Sequence, residues 1–140
     1  MTNFILMLTR NDRTVADARD VYEQVRGGAP TYVGFKDIGL PISELKALTE
    51  RIHADGRKAL LEVVSTGKDE ELKSVRAALE MNVDYVLGGR HVTDAVALLE
   101  RSGIRYFPFC GEPVGHPTRL SGSIESIVAD ARHLAAIPGV

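Results

Sequence analysis

Two charged residues stand at the ends of segments that are otherwise apolar. Lys36 follows Tyr32-Val33-Gly34-Phe35, and Glu62 follows Ala59-Leu60-Leu61. Side chains alternate along a strand. Tyr32, Gly34 and Lys36 therefore share one face of the first segment, and Lys58, Leu60, Glu62 and Val64 share one face of the next. Lys36 and Glu62 are expected to point into a common space near the C-terminal ends of adjacent strands. A partly desolvated ammonium gives up its proton more easily, and can then act as a base or as an imine-forming nucleophile. A neighbouring carboxylate opposes that shift and would keep Lys36 as a fixed cation facing an anionic intermediate. The plain alternative is a structural ion pair between Lys36 and Glu62. Asp37 should turn to the opposite face, either capping the loop or touching a ligand.

Other candidates sit at further strand ends. Arg10 ends the first apolar segment and could clamp a carboxylate or phosphate, or simply face solvent. Gly88-Gly89 closes the fourth segment, where two glycines permit either a close backbone approach to a ligand or a tight turn. His91 just beyond reads as a helix-start residue. The longest connection, residues 110–123, contains His116, the one histidine placed to serve as an acid–base group. A structural role in the loop is its alternative. His53 and His133 fall on helical segments and read as surface residues. Ser121, Gly122 and Ser123 precede a helical segment, where free amides and hydroxyls can hold an anion or merely cap the helix. Cys110 reads as a small buried residue rather than a nucleophile.

These residues are positioned by a repeating unit. Five segments have the composition of strands buried on both faces: 3–9, 31–38, 58–65, 83–89 and 104–110. Each is followed by a helical stripe. The stripes are Val15, Ala18, Val21, Tyr22 and Val25; Ile42, Leu45, Leu48 and Ile52; Leu72, Val75, Ala78 and Leu79; Val92, Ala95, Val96 and Leu99; and Ile124, Ile127, Val128, Ala131 and Leu134. Gly56, Asn82 and Gly103 sit where each helix should stop in a left-handed conformation. The expectation is a single α/β domain over 1–140 with a parallel sheet of five β/α units. Residues 137–140 resemble another such joint, so the chain reads as the N-terminal part of a longer barrel. An incomplete (β/α)8 barrel competes with a flavodoxin-like open doubly wound sheet. A sequential strand order would favour the first, and the order 2-1-3-4-5 the second.

Composition narrows the functional classes. Of 140 residues, 44% are hydrophobic and 26% charged, with a net charge of −2. That is a globular composition without the basic excess of a nucleic-acid-binding domain. No stretch approaches the roughly 20 apolar residues of a membrane span. The single cysteine precludes an internal disulfide and fits a cytoplasmic protein. No Cys/His metal grouping is present, and no cofactor is expected. "TRNDRT", residues 9–14, has no glycine and makes a poor flavin phosphate loop. The signatures of a receiver domain and of a cobalamin-binding module are both absent.

"GFKD", "LEVVS", "VDYVLGG" and "YFPFCGEPVGHPT" resemble the first five units of the phosphate-binding (β/α)8 barrels. These comprise decarboxylases, epimerases, isomerases and aldolases. The resemblance implies a lyase or isomerase acting on a small phosphorylated or carboxylated metabolite, by proton transfer or imine formation at the strand ends. The Asp-x-Lys-x-x-Asp motif of the decarboxylase branch is not present. Lys36 would be base, electrophile or imine former, Glu62 its proton partner and His116 an accessory acid. Arg10, Asp37, Gly88, Gly89, Ser121, Gly122 and Ser123 would contact substrate. No metal is required, although Glu62 could ligate one together with Asp37. A flavodoxin-like binding or signalling module without catalysis is the alternative. Exposed sheet edges in a five-unit arc would invite pairing with a second copy.

Overall fold

The structure, a computed structural model, describes residues 3–28, 30–115 and 119–140. In chain order the elements are β1 (Ile5–Met7), β2 (Thr9–Arg10), β3 (Arg13–Thr14), α1 (Ala18–Val25), β4 (Tyr32–Lys36), α2 (Ile42–Ala54) and β5 (Lys58–Glu62). They continue with α3 (Lys68–Met81), β6 (Tyr85–Leu87), α4 (Val92–Leu99), β7 (Arg105–Phe107), β8 (Glu112–Val114), β9 (Arg119–Ser121) and α5 (Ile124–Ala135). Each of the five expected strands and helices is found within its apolar segment.

The main sheet is parallel, with the order β1-β4-β5-β6-β7. Consecutive β/α units are therefore neighbours. The reversal that defines the flavodoxin-type order 2-1-3-4-5 does not occur among the described residues. Helices cover one face. Val33, Phe35, Ala59, Leu61, Val63 and Val86 lie there, each no more than 1% exposed, packed against Leu45, Ile52, Val75, Ala78 and Ala95 from the helices. At ~25 cal/mol per Å² of apolar surface removed from water, this core is the main force holding the helices to the sheet.

The opposite face is layered but open. Register places Met7, Gly34, Leu60, Tyr85 and Arg105 in one row across the strands, and Lys36, Glu62, Leu87 and Phe107 in the next. Gly34 leaves room in its row for the tip of the Met7 side chain. Phe107 is 45% exposed, so the outer end of this face is not covered by the described residues.

The helix stops follow expectation: Gly56, Asn82 and Gly103 have φ of 71°, 56° and 81°. Three details differ. Two short antiparallel hairpins, β2–β3 and β8–β9, lie outside the repeating pattern. In α3 the buried stripe runs through Met81, while Leu79 is exposed. No residue of the α5 stripe is fully buried: Ile127, Ala131 and Leu134 are half-buried, and Ile124 is 78% exposed. Helical periodicity shows that a face is apolar, but whether anything covers it is a tertiary matter.

At the opposite end of the sheet from Lys36, polar groups lock α1 to α2. Tyr22 Oη donates to Asp55 Oδ2 at 2.8 Å, and Arg26 and Arg51 each donate to Asp55 Oδ1 at 3.0 Å. The Tyr22 hydroxyl, followed by the two guanidiniums, lowers the Asp55 pKa from 3.8 to about 2. A depressed carboxyl pKa contributes stability above the unfolded-state value, which is lost as pH falls through the folded one. The melting temperature should therefore decline between pH 4 and pH 2, and Asp55→Asn should flatten that part of the profile.

Candidate functional site

The site is built where β1, β4 and β5 end. After β1 the chain turns through Asn11 and Asp12, at φ of 51° and 57°, into an antiparallel two-residue hairpin. Two consecutive left-handed residues form the turn whose twist suits a two-residue hairpin, and Asn and Asp tolerate that backbone best. Thr14 then fastens the hairpin to the end of β4. Its hydroxyl donates to the Lys36 carbonyl at 2.7 Å and accepts from the Lys36 amide at 2.8 Å. The Thr14 amide donates to the Ile38 carbonyl at 2.9 Å. Thr14 is 3% exposed, so the clamp is sheltered from competing water.

This clamp carries Asp12 over the Lys36 side chain. Lys36 Nζ donates to Asp12 Oδ1 at 2.6 Å and lies 3.3 Å from Glu62 Oε1. Lys36 pairs with Glu62 in register, so both point to the same face. The lysine side chain is 8% exposed, and the two carboxylates are 35% and 29% exposed. The ammonium is thus the sheltered member of the trio. Burial alone would depress its pKa, but the bond from Asp12 and the charge of Glu62 outweigh burial and raise it. The cluster opens on a cavity of about 80 Å³, also lined by Thr66, Phe109 and Gly115. Such a space takes a group the size of two or three water molecules.

The remaining candidates are dispersed. Asp37 turns toward α3, where Ser74 Oγ donates to its Oδ2, and its Oδ1 is buried without a partner among the described residues. It does not converge with Glu62, as a shared metal would require. Arg10 is exposed on β2 directly opposite Arg13, beside a different cavity from that of Lys36. Ser121 ends β9. Ser123 caps α5, accepting from the Ser126 amide at 3.2 Å, and Gly122 between them has φ of 115°. His116 lies outside the described residues. Cys110 is half-buried with a free thiol.

Gly88 and Gly89 are held by packing within the chain. Both are buried, with φ of 83° and 84°. A Cβ on Gly89 would lie 2.6 Å from Glu71 Oε1 and 2.8 Å from Tyr106 Oη. Gly89→Ala combines a strained backbone with that collision. It should cost more than the ~1 kcal/mol of an ordinary glycine position, read as a lower urea midpoint at unchanged slope.

Two residues of consequence lie away from the strand ends. Asp12 was not singled out from the sequence; the one local signal for its turn is the Asn11-Asp12 pair, two residue types that tolerate left-handed backbone. Glu71, on α3, is fully buried. It accepts from the Arg90 amide at 2.9 Å, from the His91 amide at 2.8 Å, and contacts His91 Nδ1 at 2.8 Å. A glutamate inside a helix offers no periodic signal for such a role. It fills the amide-rich turn before α4, so that turn is satisfied by the chain's own carboxylate. No described helix is long and apolar enough to cross a membrane. Set against family models, curated proteins and solved structures, the chain matches none of them.

Proposed function

We propose that the chain forms part of the wall of a (β/α)8-type barrel, and that Lys36, Glu62 and Asp12 carry out proton transfer on a small carboxylated or phosphorylated carbonyl compound. The sequential strand order and the rows of side chains on the helix-free face support the architecture. In a closed barrel such rows are the interior layers, and active sites lie at the C-terminal strand ends. The Lys36 ammonium, sheltered between two carboxylates beside a small cavity, is the observation that carries the chemistry.

Of the two reaction types open to a strand-end lysine, a raised pKa favours proton transfer. Imine formation needs a neutral amine, and both neighbours of Lys36 hold it protonated. An ammonium has three donors, two of which face Asp12 and Glu62. The third has no partner among the described residues and is offered to a substrate carbonyl oxygen. Glu62 takes a proton from the carbon next to that carbonyl. The C–H electron pair moves into the new C=C bond, the carbonyl π pair moves onto oxygen, and Lys36 stabilises the resulting enolate. Return of the proton to the same carbon from the opposite face gives an epimer. Where that carbon bears a hydroxyl, the hydroxyl proton passes to the enolate oxygen and the proton held by Glu62 returns to the former carbonyl carbon, giving the isomeric carbonyl compound. The cavity matches the reacting group, leaving the remainder of the substrate at the rim.

The test is solvent exchange. The protein is incubated in D2O with small 2-oxo acids and hydroxyketone phosphates, and deuterium uptake beside the carbonyl is followed by NMR. A parallel sample is treated with borohydride. Uptake without a reduced covalent adduct is expected. An adduct on Lys36 would replace proton transfer by imine chemistry, and an absence of uptake across the panel would overturn the proposal.

A further inference from the structure

We propose that the β2–β3 hairpin binds a phosphate-class anion between Arg10 and Arg13. This goes beyond the Lys36 chemistry and does not rest on it. The two arginines are directly opposite in the ladder and flank the two-residue turn. Like charges in that relation repel and destabilise a hairpin. Neither arginine forms an ion pair within the described residues. Asp12, the acid placed between them in sequence, is turned toward Lys36 instead. The chain thus sets two guanidiniums side by side and directs the nearest carboxylate elsewhere.

Both arginines line one cavity of about 610 Å³, together with Thr9, Asn11, Ala16 and Asp17. Asp17 is the one acid in that lining. It is the N-cap residue of α1 and makes no side-chain capping bond there. Two positive charges against one negative favour a dianion over a monoanion. Guanidinium forks match the oxygen spacing of phosphate. A small phosphate monoester is therefore the expected class. A phosphodiester backbone offers the same oxygens with one charge per group and is expected to bind more weakly.

The proposal is tested by titrating the protein with inorganic phosphate and glycerol phosphate at constant ionic strength, with chloride as control. Backbone amide shifts are followed by NMR, and a short single-stranded oligonucleotide serves as the diester arm. Saturable shifts confined to residues 9–17 are expected. Arg10→Gln and Arg13→Gln should each weaken binding by about tenfold, and Asp17→Asn should tighten it about two- to threefold. Arg10→Glu replaces the repulsion by an ion pair, so it should abolish phosphate binding while raising the melting temperature, which excludes misfolding as the cause. Shifts that do not saturate, equal affinity in the Arg10→Glu variant, or tighter binding of the oligonucleotide than of the monoester would overturn it. None of these readouts depends on turnover at Lys36.

Discussion

Replacing Lys36 by methionine should remove solvent exchange at the substrate carbon while leaving the fold in place. General acid–base and electrostatic contributions of a positioned group are each worth ~10²–10⁴ in rate, so uptake should fall at least a hundredfold. Methionine matches the length and apolar stem of lysine. It leaves Asp12 and Glu62 about one-third exposed, so water can solvate both. The stability cost at pH 7 should then stay below ~2 kcal/mol, unlike the ~3–5 kcal/mol of a fully buried pair broken from one side. Lys36→Arg should fail to restore exchange, because a planar fork cannot present a single ammonium donor to the same oxygen. Alkaline titration provides a second readout. A lysine pKa raised by folding contributes stability that is complete below the ordinary value of ~10.4 and lost as pH climbs through the folded one. Wild-type protein should weaken over that range by a margin that Lys36→Met lacks. Unchanged exchange in Lys36→Met would remove the lysine from the reaction.

Glu71→Ala should cost more stability than either Lys36→Met or Asp55→Asn. The carboxylate is fully buried and is bonded by two backbone amides and an imidazole nitrogen. His91, the N-cap residue of α4, makes no side-chain capping bond, and Glu71 instead holds, from α3, the amides of the two residues that lead into α4. Removing it leaves sheltered donors unpaired and unties α3 from α4. The expected loss is ~3 kcal/mol or more, which at roughly 3–4 °C per kcal/mol for a domain of this size lowers the melting temperature by about 10 °C. Tyr106→Phe is the matched control. The Tyr106 hydroxyl is buried without a partner among the described residues, and burial, then the charge of Glu71, push its pKa up. Deleting that oxygen should leave stability unchanged or slightly higher. Equal losses from the two substitutions would mean that packing at this position, not the capping bonds, sets the cost.

The two results concern different kinds of carboxylate, and the sequence revealed them unequally. Glu62 stands out because it follows the apolar run Ala59-Leu60-Leu61 on β5. Glu71 does not, because glutamate suits an exposed helix position and nothing local marks it as buried. Asp12 falls between the two. Its turn is readable, but its bond to Lys36 depends on Thr14 fastening the hairpin to β4. Gly88-Gly89 is open to two readings from sequence. The turn reading wins once Glu71 and Tyr106 are seen to occupy the space a side chain would need.

What the residues alone determined is the local part of the fold. Short apolar runs placed five strands and period-3.6 stripes placed five helices, glycine and asparagine placed the helix stops, and alternation put Lys36 and Glu62 on one face. Each of these follows from neighbours along the chain. Only the tertiary structure decided the sequential strand order, the hairpin that brings Asp12 onto Lys36, the burial of Glu71 and the partial exposure of the α5 stripe. Those depend on contacts between segments distant in sequence, where many pairings satisfy the same local pattern and packing selects one.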